Sequence, residues 1–226
     1  MLDEEMTIFD QLILEEHLLR NDFRNFCVVN KGSSPAIVMG ISGKAHELVD
    51  LDKAKKDSIP IIKRFSGGGT VIVDTNTIFV TFIFQKDSFS FPAYPEKIMK
   101  WTEEIYKPVF PELFALREND YTFDALKFGG NAQYIKKDRW LHHTSFLWDF
   151  ENSNMDLLLH PKKTPSYRDG RSHQDFLCKL KDHLPSKDSF ILNLKNSLTK
   201  QFEIEDIQKS DIEISSTERV STVLIS

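Results

Sequence analysis

Three consecutive glycines interrupt the densest β-strand signal in the chain. β-branched and aromatic side chains dominate residues 61 to 84 on both sides of Gly67–Gly69, which predicts a strand, a glycine turn and two further strands. Strands with this composition bury at least one face, so the rest of the chain has to supply a layer that covers them. Helices are the expected cover, because amphipathic patterns lie outside this region.

Further signals divide the chain into helical ends and a strand-rich middle. Thr7, three residues before Asp10, resembles a capping box, and the apolar spacing predicts an amphipathic helix to about Arg20. A second helix is predicted over residues 95–106 and ends before Pro108. The other predicted elements are strands at residues 26–30, 36–41, 121–123, 126–135 and 140–150, and helices before Pro60 and at residues 154–159, 172–183 and 189–202. This order indicates an α+β fold with a mixed, mostly antiparallel sheet flanked by helices, in one domain over residues 1–226.

Composition excludes several classes of protein. The 226 residues carry 29 basic and 34 acidic side chains, a net charge of −5, which argues against a protein that grips nucleic acid over a whole face. The longest apolar stretches, such as residues 36–41, are far shorter than a membrane span, and the acidic N-terminus does not resemble a secretory signal. We therefore expect a cytoplasmic protein with no membrane or nucleic-acid partner, and with Cys27 and Cys178 as reduced thiols.

The first glycine cluster is a candidate anion-binding loop. It follows Arg64 and Ser66 and continues into Thr70, so exposed backbone N–H groups and a guanidinium are close together in the sequence. The GK[ST] ending of a phosphate-binding Walker loop is missing. A tight hairpin turn without a ligand is the alternative interpretation.

A second glycine cluster, Gly129-Gly130, follows Lys127 in a predicted strand. Strict alternation puts Lys127, Gly129 and Asn131 on one face, where the lysine ammonium projects over a cleft walled only by backbone. A point cation at such a place suits an anionic reaction centre. An exposed strand lysine is the alternative.

Four segments taken together resemble the lipoate-protein ligase A family, the biotin/lipoate A/B protein ligase catalytic domain. They are residues 64–71, 118–120, 127–131 and 141–147, and their order and spacing match the family from about residue 9 to residue 183. The resemblance implies a biotin/lipoate ligase-like catalytic domain. It also implies a two-step ligase reaction, in which lipoate and ATP give the acyl-adenylate lipoyl-AMP, and the lipoyl group then passes to a lysine of an acceptor protein.

The resemblance also implies roles for individual residues. Lys127 would be the catalytic lysine that bridges the α-phosphate and the lipoyl carbonyl, and Asp120 would be a candidate Mg²⁺ ligand. The residues implied to bind lipoate and lipoyl-AMP are Arg64, Ser66, Gly67, Gly68, Gly69, Thr70, Val71, Thr77, Asn119, Asp120, Gly130, Asn131, His143 and Thr144. ATP and Mg²⁺ would be the cofactors. The acceptors would be lipoyl domains of 2-oxoacid dehydrogenase E2 subunits and the glycine-cleavage H protein, with lipoate or octanoate as the acyl substrate.

The chain departs from the family pattern at three places. Val73 stands where the family often has histidine, and Thr77 stands where it often has asparagine. The segment Gly40–Lys44 replaces a motif that contains arginine. About 40 residues follow His183, so we expect no separate C-terminal accessory domain, and a separate accessory subunit is one way to complete the ATP-dependent step.

Three functions therefore remain open from the sequence. The first is an ATP-dependent lipoate-protein ligase, and the second is a lipoyl or octanoyl transferase that uses a preformed acyl donor. Related octanoyltransferases use a catalytic cysteine, but neither cysteine of this chain lies in the matched motifs. The third is a non-catalytic binding homologue. The segment from residue 203 to residue 226 has no functional assignment.

Overall fold

The structure, a computed structural model, describes residues 1–111, 113–159, 164–214 and 220–225. Its strands are β1 (Leu2–Asp3), β2 (Phe26–Asn30), β3 (Ala36–Met39), β4 (Ile61–Lys63), β5 (Val71–Val73), β6 (Thr77–Gln85), β7 (Phe114–Arg117), β8 (Asp120–Phe123), β9 (Leu126–Ile135), β10 (Arg139–Leu147) and β11 (Val223–Leu224). Its helices are α1 (Ile8–Asn21), α2 (Ala45–Leu48), α3 (Leu51–Lys56), α4 (Pro95–Tyr106), α5 (Asn152–Met155), α6 (His173–Phe176) and α7 (Lys187–Leu198).

The strands form two sheets. The larger has the order β1-β2-β6-β10-β9-β8-β7, and the smaller has the order β11-β4-β3-β5. Among the described strands, β1 pairs with β2 and β3 with β4 in parallel, whereas all other neighbours are antiparallel. The predicted α+β class with a mixed, mostly antiparallel sheet is confirmed, and the strands divide between two sheets where one was expected.

Each face of the larger sheet is covered by an apolar layer. Helices α4 and α7 cover one face, where Ile98 and Phe190 lie in the same cluster as Phe82 of β6. Helix α1 and the smaller sheet cover the other face, where Leu12 and Val38 share a second cluster with the larger sheet. The space enclosed by α1 and the two sheets is where the cleft described below opens.

Two predicted helices are shorter than expected because strand-like pairing interrupts them. In place of a helix over residues 172–183, α6 has four residues, and Leu177 then forms a parallel bridge with Lys127. In place of a helix over residues 154–159, α5 ends before Leu158, which forms an antiparallel bridge with Val49. Through these bridges Leu158 and Leu177 pack against an apolar cluster that includes residues of the smaller sheet.

Other boundaries differ by a few residues. The strands predicted to end at residues 41 and 150 end at 39 and 147, and the helix predicted over residues 189–202 occupies 187–198. The helix at residues 95–106 has the predicted bounds, and the Thr7 side chain caps α1 by accepting from the N–H of Asp10 at 3.1 Å. Of the helices in the described part of the chain, none has the length and apolar character that a membrane crossing requires.

A buried carboxylate ties the C-terminal segment to the first helix. Glu16 of α1 is fully buried and accepts from the backbone N–H groups of Ser221 and Thr222 at 2.9 and 3.1 Å. Arg20 pairs with the same carboxylate at 2.7 Å. Beyond this anchor, β11 adds to β4 at the edge of the smaller sheet. Residues 215–219 and 226 of this segment lie outside the described residues.

His142 is a fully buried histidine that joins β9 to β10. Its Nδ1 lies 3.0 Å from Nε2 of Gln133, and its Nε2 lies 3.1 Å from Oδ1 of Asn131. Gln133 therefore donates to Nδ1, and Nε2–H donates to Asn131, which is the hydrogen-bond pattern of a neutral ring. Burial, and secondly the neighbouring His143, lower the pKa of His142 to about 3.

We expect this histidine to make the fold sensitive to acid. Below pH 6.5 the unfolded state binds a proton at His142, whereas the native state binds one only near pH 3. The free energy of unfolding is therefore highest above pH 6.5 and falls as the pH drops towards 3. The full loss would be about 5 kcal/mol. Urea unfolding at several pH values measures it, and His142→Gln should flatten the dependence in this window. Equal pH slopes in the two proteins would contradict the assignment.

Candidate active site

A cleft of about 990 Å³ opens between α1, the smaller sheet and strands β6, β9 and β10 of the larger sheet. With one exception, the residues that the sequence assigned to the site line it: they are Arg64, Gly67, Gly68, Gly69, Thr70, Val71, Thr77, Asn119, Asp120, Lys127, Gly130, Asn131, His143 and Thr144. The exception is Ser66, whose side chain is fully buried. Segments that are far apart in the sequence therefore converge on one cleft.

The Arg64 guanidinium holds the glycine loop from behind. It donates to the carbonyl oxygens of Gly67 and Gly69 at 2.7 and 2.9 Å, and its Nε donates to Oγ of Ser66 at 3.0 Å. Burial lowers the pKa of Arg64 to about 10, and the nearby Glu15 carboxylate opposes that shift. These hydrogen bonds shape the loop, and because Arg64 also lines the cleft, its direct contact with a ligand stays a prediction.

The loop has backbone N–H groups that are not used within the described part of the fold, at residues that line the cleft. Within the described ranges, no residue accepts a hydrogen bond from the N–H of Gly68, Gly69 or Thr70, and the Thr70 hydroxyl is buried without a partner. Gly68 has a φ of 101°, and a Cβ there would lie 2.7 Å from Nη2 of Arg64. Consecutive free N–H groups in such a turn form a site for an anion.

A β-bulge aims Lys127 into the cleft. Tyr121 pairs with Gly129 but Thr122 pairs with Lys127, so β9 carries one extra residue at this point. The prediction that Lys127 and Gly129 share a face is therefore wrong. The Lys127 ammonium lies over Gly130, where an added Cβ would be 3.2 Å from Nζ. The structure therefore has the expected cation over a wall without side chains, but Gly130 and not Gly129 provides that wall.

Asp120 is the partner of this lysine. Its Oδ1 lies 2.8 Å from Nζ of Lys127, and its Oδ2 accepts from the Tyr167 hydroxyl at 2.8 Å. Burial and the Asp120 carboxylate raise the pKa of Tyr167, which keeps that hydroxyl a donor. A single carboxylate with both oxygens engaged fits an Mg²⁺ ion that arrives on nucleotide phosphates better than a resident metal. Accordingly, the described residues contain no group of three or more His, Cys, Asp and Glu side chains that would hold a metal.

Asn131 and Thr144 fix each other on the larger sheet. The Thr144 hydroxyl donates to Oδ1 of Asn131 at 2.6 Å, and Nδ2 of Asn131 donates to the carbonyl of Asn119 at 3.0 Å. These contacts hold the turn that carries Asn119 and Asp120 against β9. The two residues shape the wall beside Lys127.

Sequence reasoning missed a cluster of buried polar groups at the α1 side of the cleft. Glu15 is fully buried, and its Oε2 lies 3.0 Å from Nδ1 of His143, while Nε2 of His143 lies 2.9 Å from Oγ of Ser66. The signal in the sequence was a carboxylate at the apolar spacing of α1, three residues after Leu12 and four before Leu19. A charge at that spacing has to meet a partner in the core.

Sequence reasoning also missed the segment that closes the Lys127 side. Ser166 donates to the Glu118 carboxylate through its N–H at 2.7 Å, and Arg171 donates to the carbonyl of Ala125 at 3.0 Å. Arg168 is buried against the ring of Phe176, at 5.1 Å from its centroid. These contacts hold residues 164–171 next to the hairpin that carries Asp120 and Lys127.

The two cysteines are unsuited to nucleophilic catalysis. Burial raises the pKa of Cys27 to about 12 and that of Cys178 to about 11, whereas the reactive form of a thiol is the thiolate. Neither thiol is among the described residues that line the cleft. This disfavours a mechanism through a cysteine thioester.

The chain is similar to proteins named as lipoate-protein ligases. A family model for the lipoyl protein ligase A/B catalytic domain matches residues 7–203. The chain is 29% identical over 238 residues to the inactive lipoate-protein ligase 2 of Plasmodium falciparum, covering 77% of this chain and 61% of that protein. It is 29% identical over 187 residues to the probable lipoate-protein ligase A of Mycoplasma pneumoniae, covering 81% and 55%. The chain thus spans between 55% and 61% of the length of these relatives.

Solved structures show the same fold. A putative lipoate protein ligase from T. acidophilum with bound lipoic acid superposes with a TM-score of 0.76 at 16% identity, covering 92% of this chain and 86% of that one. Lipoate-protein ligase A bound with ATP gives 0.74 at 16%, covering 92% and 88%. A bi-partite lipoate protein ligase described with its E2 lipoyl domain, from Thermoplasma acidophilum, gives 0.74 at 18%, covering 93% and 87%. The biotin/lipoate ligase-like fold implied by the sequence is confirmed.

The packing of the glycine loop predicts that two alanine substitutions have different effects on the free energy of unfolding. A Cβ at Gly40 would lie 2.3 Å from the carbonyl oxygen of Gly68, whereas a Cβ at Gly67 would meet nothing within 4 Å. Gly40→Ala should therefore displace the loop and lower the free energy of unfolding by about 2 kcal/mol. Gly67→Ala should change it by less than about 0.5 kcal/mol. Urea unfolding measures both, and equal losses would show that the loop does not rest on Gly40.

Proposed function

The chain belongs to the lipoyl protein ligase A/B catalytic domain family, and we propose that it is an ATP-dependent lipoate-protein ligase. One observation carries the proposal: the Lys127 ammonium and the glycine loop with its unused N–H groups both lie against β9, in the same cleft. A Cβ at Gly68 would lie 3.1 Å from Cβ of Ala132, two residues along β9 from Gly130, beneath Lys127. Gly130 and Ala132 are about 7 Å apart along the strand, so the loop and the lysine lie close together in the cleft.

This arrangement suits the formation of an acyl-adenylate. A carboxylate oxygen of lipoate attacks the α-phosphorus of ATP, and the bond to the β-phosphate oxygen breaks to release pyrophosphate. Two anions have to approach each other, so cations and N–H donors fixed in advance lower the barrier. Lys127 would contact the α-phosphate and the acyl carbonyl. The N–H groups of Gly68, Gly69 and Thr70 would donate hydrogen bonds that stabilise the negative charge developing on the reacting groups. Mg²⁺, held by the phosphates and Asp120, would neutralise the nucleotide.

The second step transfers the acyl group. The amine of an acceptor lysine attacks the carbonyl carbon of lipoyl-AMP, and the bond between that carbon and the phosphate oxygen breaks to release AMP. The proposed acceptors are lipoyl domains of 2-oxoacid dehydrogenase E2 subunits and the glycine-cleavage H protein. We keep the cytoplasm as the proposed location.

The apolar wall of the cleft supports an aliphatic acyl substrate. Leu12 of α1, Val38 and Val71 of the smaller sheet and Phe79 of β6 line the cleft on its α1 side. Burial of an acyl chain there would contribute about 0.8 kcal/mol per methylene. Lipoate and octanoate share this chain, so either fits the wall.

A second candidate is a transferase that takes preformed lipoyl-AMP, and the position of Thr77 favours it. The Thr77 hydroxyl accepts from the N–H of Asp74 at 3.1 Å and so belongs to its own turn, at a place where the family often has an asparagine. One similar protein is named inactive and another bi-partite. In this reading a separate accessory subunit supplies the activated acyl group.

The lysine provides the direct test of the proposal. Lys127→Ala should lower acyl transfer at least about 10²-fold, the scale of losing one preorganised donor to developing charge. The measurement is the intact mass of a purified lipoyl domain after incubation with lipoate and Mg-ATP, and in parallel with synthetic lipoyl-AMP. Modification by the wild type with ATP supports the ligase, and modification with lipoyl-AMP alone supports the transferase.

Lys97→Ala is the matched control, because Lys97 is an exposed lysine on α4. It should retain the wild-type rate with either donor. A Lys127→Ala variant that matches this control would overturn the proposed mechanism. A wild-type protein that modifies nothing with either donor would instead support a non-catalytic binding homologue.

A further inference from the structure

A series of hydrogen bonds runs from the backbone through Gln11, Glu15 and His143 to Ser66 and Arg64, and Thr81 joins it at the Glu15 carboxylate. Glu15, Thr81 and His143 all line the cleft, and none of the three belongs to the glycine loop or to the Lys127 site proposed above. We propose that Glu15 is a positioning residue that sets the tautomer of His143 and, through Ser66, the orientation of the Arg64 guanidinium behind the glycine loop.

The series of hydrogen bonds begins at backbone groups whose hydrogen-bonding roles are fixed. The N–H of Gly32 donates to Oδ1 of Asn30 at 3.2 Å, so the Asn30 amide nitrogen faces the other way. That nitrogen donates to the carbonyl of Met6 at 2.8 Å and to Oε1 of Gln11 at 2.9 Å. The Gln11 amide nitrogen is then left to donate to Oε1 of Glu15 at 2.7 Å. Two backbone groups thus determine the direction of two side-chain amides.

The same logic passes through the Glu15 carboxylate to the histidine. Oε1 also accepts from the Thr81 hydroxyl at 2.6 Å, which leaves Oε2 for Nδ1 of His143 at 3.0 Å. An ionised carboxylate only accepts, so Nδ1 carries the hydrogen. Nε2 then presents a lone pair, and the Ser66 hydroxyl donates to it at 2.9 Å.

The order serine, histidine, glutamate is that of a hydrolytic triad, but the geometry rules out attack by this serine. Ser66 is fully buried, and its Oγ already accepts from Nε of Arg64 at 3.0 Å. A nucleophile has to reach a substrate carbonyl, and a fully buried serine that is not among the described residues lining the cleft does not reach one. The connections instead fix each group in one orientation.

The consequence for the cleft is a single arrangement of the glycine loop. Nε of Arg64 donates to Oγ of Ser66 and, at 3.2 Å, to the carbonyl of Gly67, while Nη2 donates to the carbonyls of Gly67 and Gly69. Those carbonyls are occupied by Arg64, and the N–H groups of Gly68, Gly69 and Thr70 remain for a ligand. Glu15 also supplies a negative charge near this buried cation. The kinetic part of the inference rests on the proposed ligase function, whereas the tautomer does not.

Replacing one oxygen of Glu15 by an NH₂ group should reverse the tautomer. In Glu15→Gln, Gln11 and Thr81 still donate to the Oε1 position, so the amide oxygen stays there and the NH₂ group faces His143. An NH₂ group donates, so Nδ1 has to become the acceptor and the hydrogen moves to Nε2. Ser66 would then accept from both His143 and Arg64, and its own hydrogen would lose its partner.

Histidine ¹⁵N NMR at mildly alkaline pH tests this directly. In the wild type, the assigned His143 ring should show a protonated Nδ1 and an unprotonated Nε2, and in Glu15→Gln the two signals should exchange roles. Glu16→Gln is the matched control, because the adjacent Glu16 is equally buried but binds Arg20 and the C-terminal segment. It should keep the wild-type tautomer.

Turnover provides the second readout. Glu15→Gln should lower kcat of acyl transfer about ten- to a hundredfold, the range seen when a partner that orients a functional group is lost. At temperatures below the melting temperature of the variant, Glu16→Gln should keep kcat within about twofold of the wild-type value. An unprotonated Nδ1 in the wild type, or an unchanged tautomer in a folded Glu15→Gln, would overturn the inference. If Glu15→Gln does not fold, the wild-type spectrum alone decides. A wild type without activity but with the expected tautomer would reject the ligase and leave the inference intact.

Discussion

The buried charge of Arg64 is the constraint on which the cleft depends. A guanidinium removed from water is costly unless acceptors surround it, and this chain provides two loop carbonyls, a serine hydroxyl and a nearby carboxylate. Once the carbonyls of Gly67 and Gly69 point at Arg64, the loop has one arrangement and its N–H groups are left for a ligand. The need for glycine at residues 40 and 68 follows, since side chains there would strike the loop or the guanidinium.

The opposite wall is built by a different device. The bulge in β9 turns Lys127 towards the smaller sheet, and Asp120 on the neighbouring strand holds its ammonium. The glycine loop meets β9 at Ala132, so the two sheets set the distance between the loop and the lysine. A protein whose chemistry brings two anions together needs donors on both sides, and here each sheet contributes one side.

Helix α1 connects this cleft to the edge of the fold through two adjacent carboxylates. Glu15 faces His143 and the larger sheet, while Glu16 holds the C-terminal segment beside β4. Successive residues on a helix point about 100° apart, so neighbours of identical chemistry serve different surroundings. The segment after residue 202, for which the sequence offered no function, is a structural brace in the part that the structure describes.

The sequence by itself determined the class of fold, most of the elements and the residues that gather at the cleft. The signals for the elements are local, because β-propensity, capping and glycine turns depend on neighbours in the chain. The cleft residues came from the resemblance of four segments, taken together, to a known family. Tertiary structure alone decided which face Lys127 takes, since the bulge exists only in the pairing of β9 with β8. It also decided what Arg64 binds and why Glu15 is buried. The Glu15 contacts with Thr81 and His143 join residues 66 and 128 positions apart, and hydrogen bonds of such separation leave no pattern in the sequence.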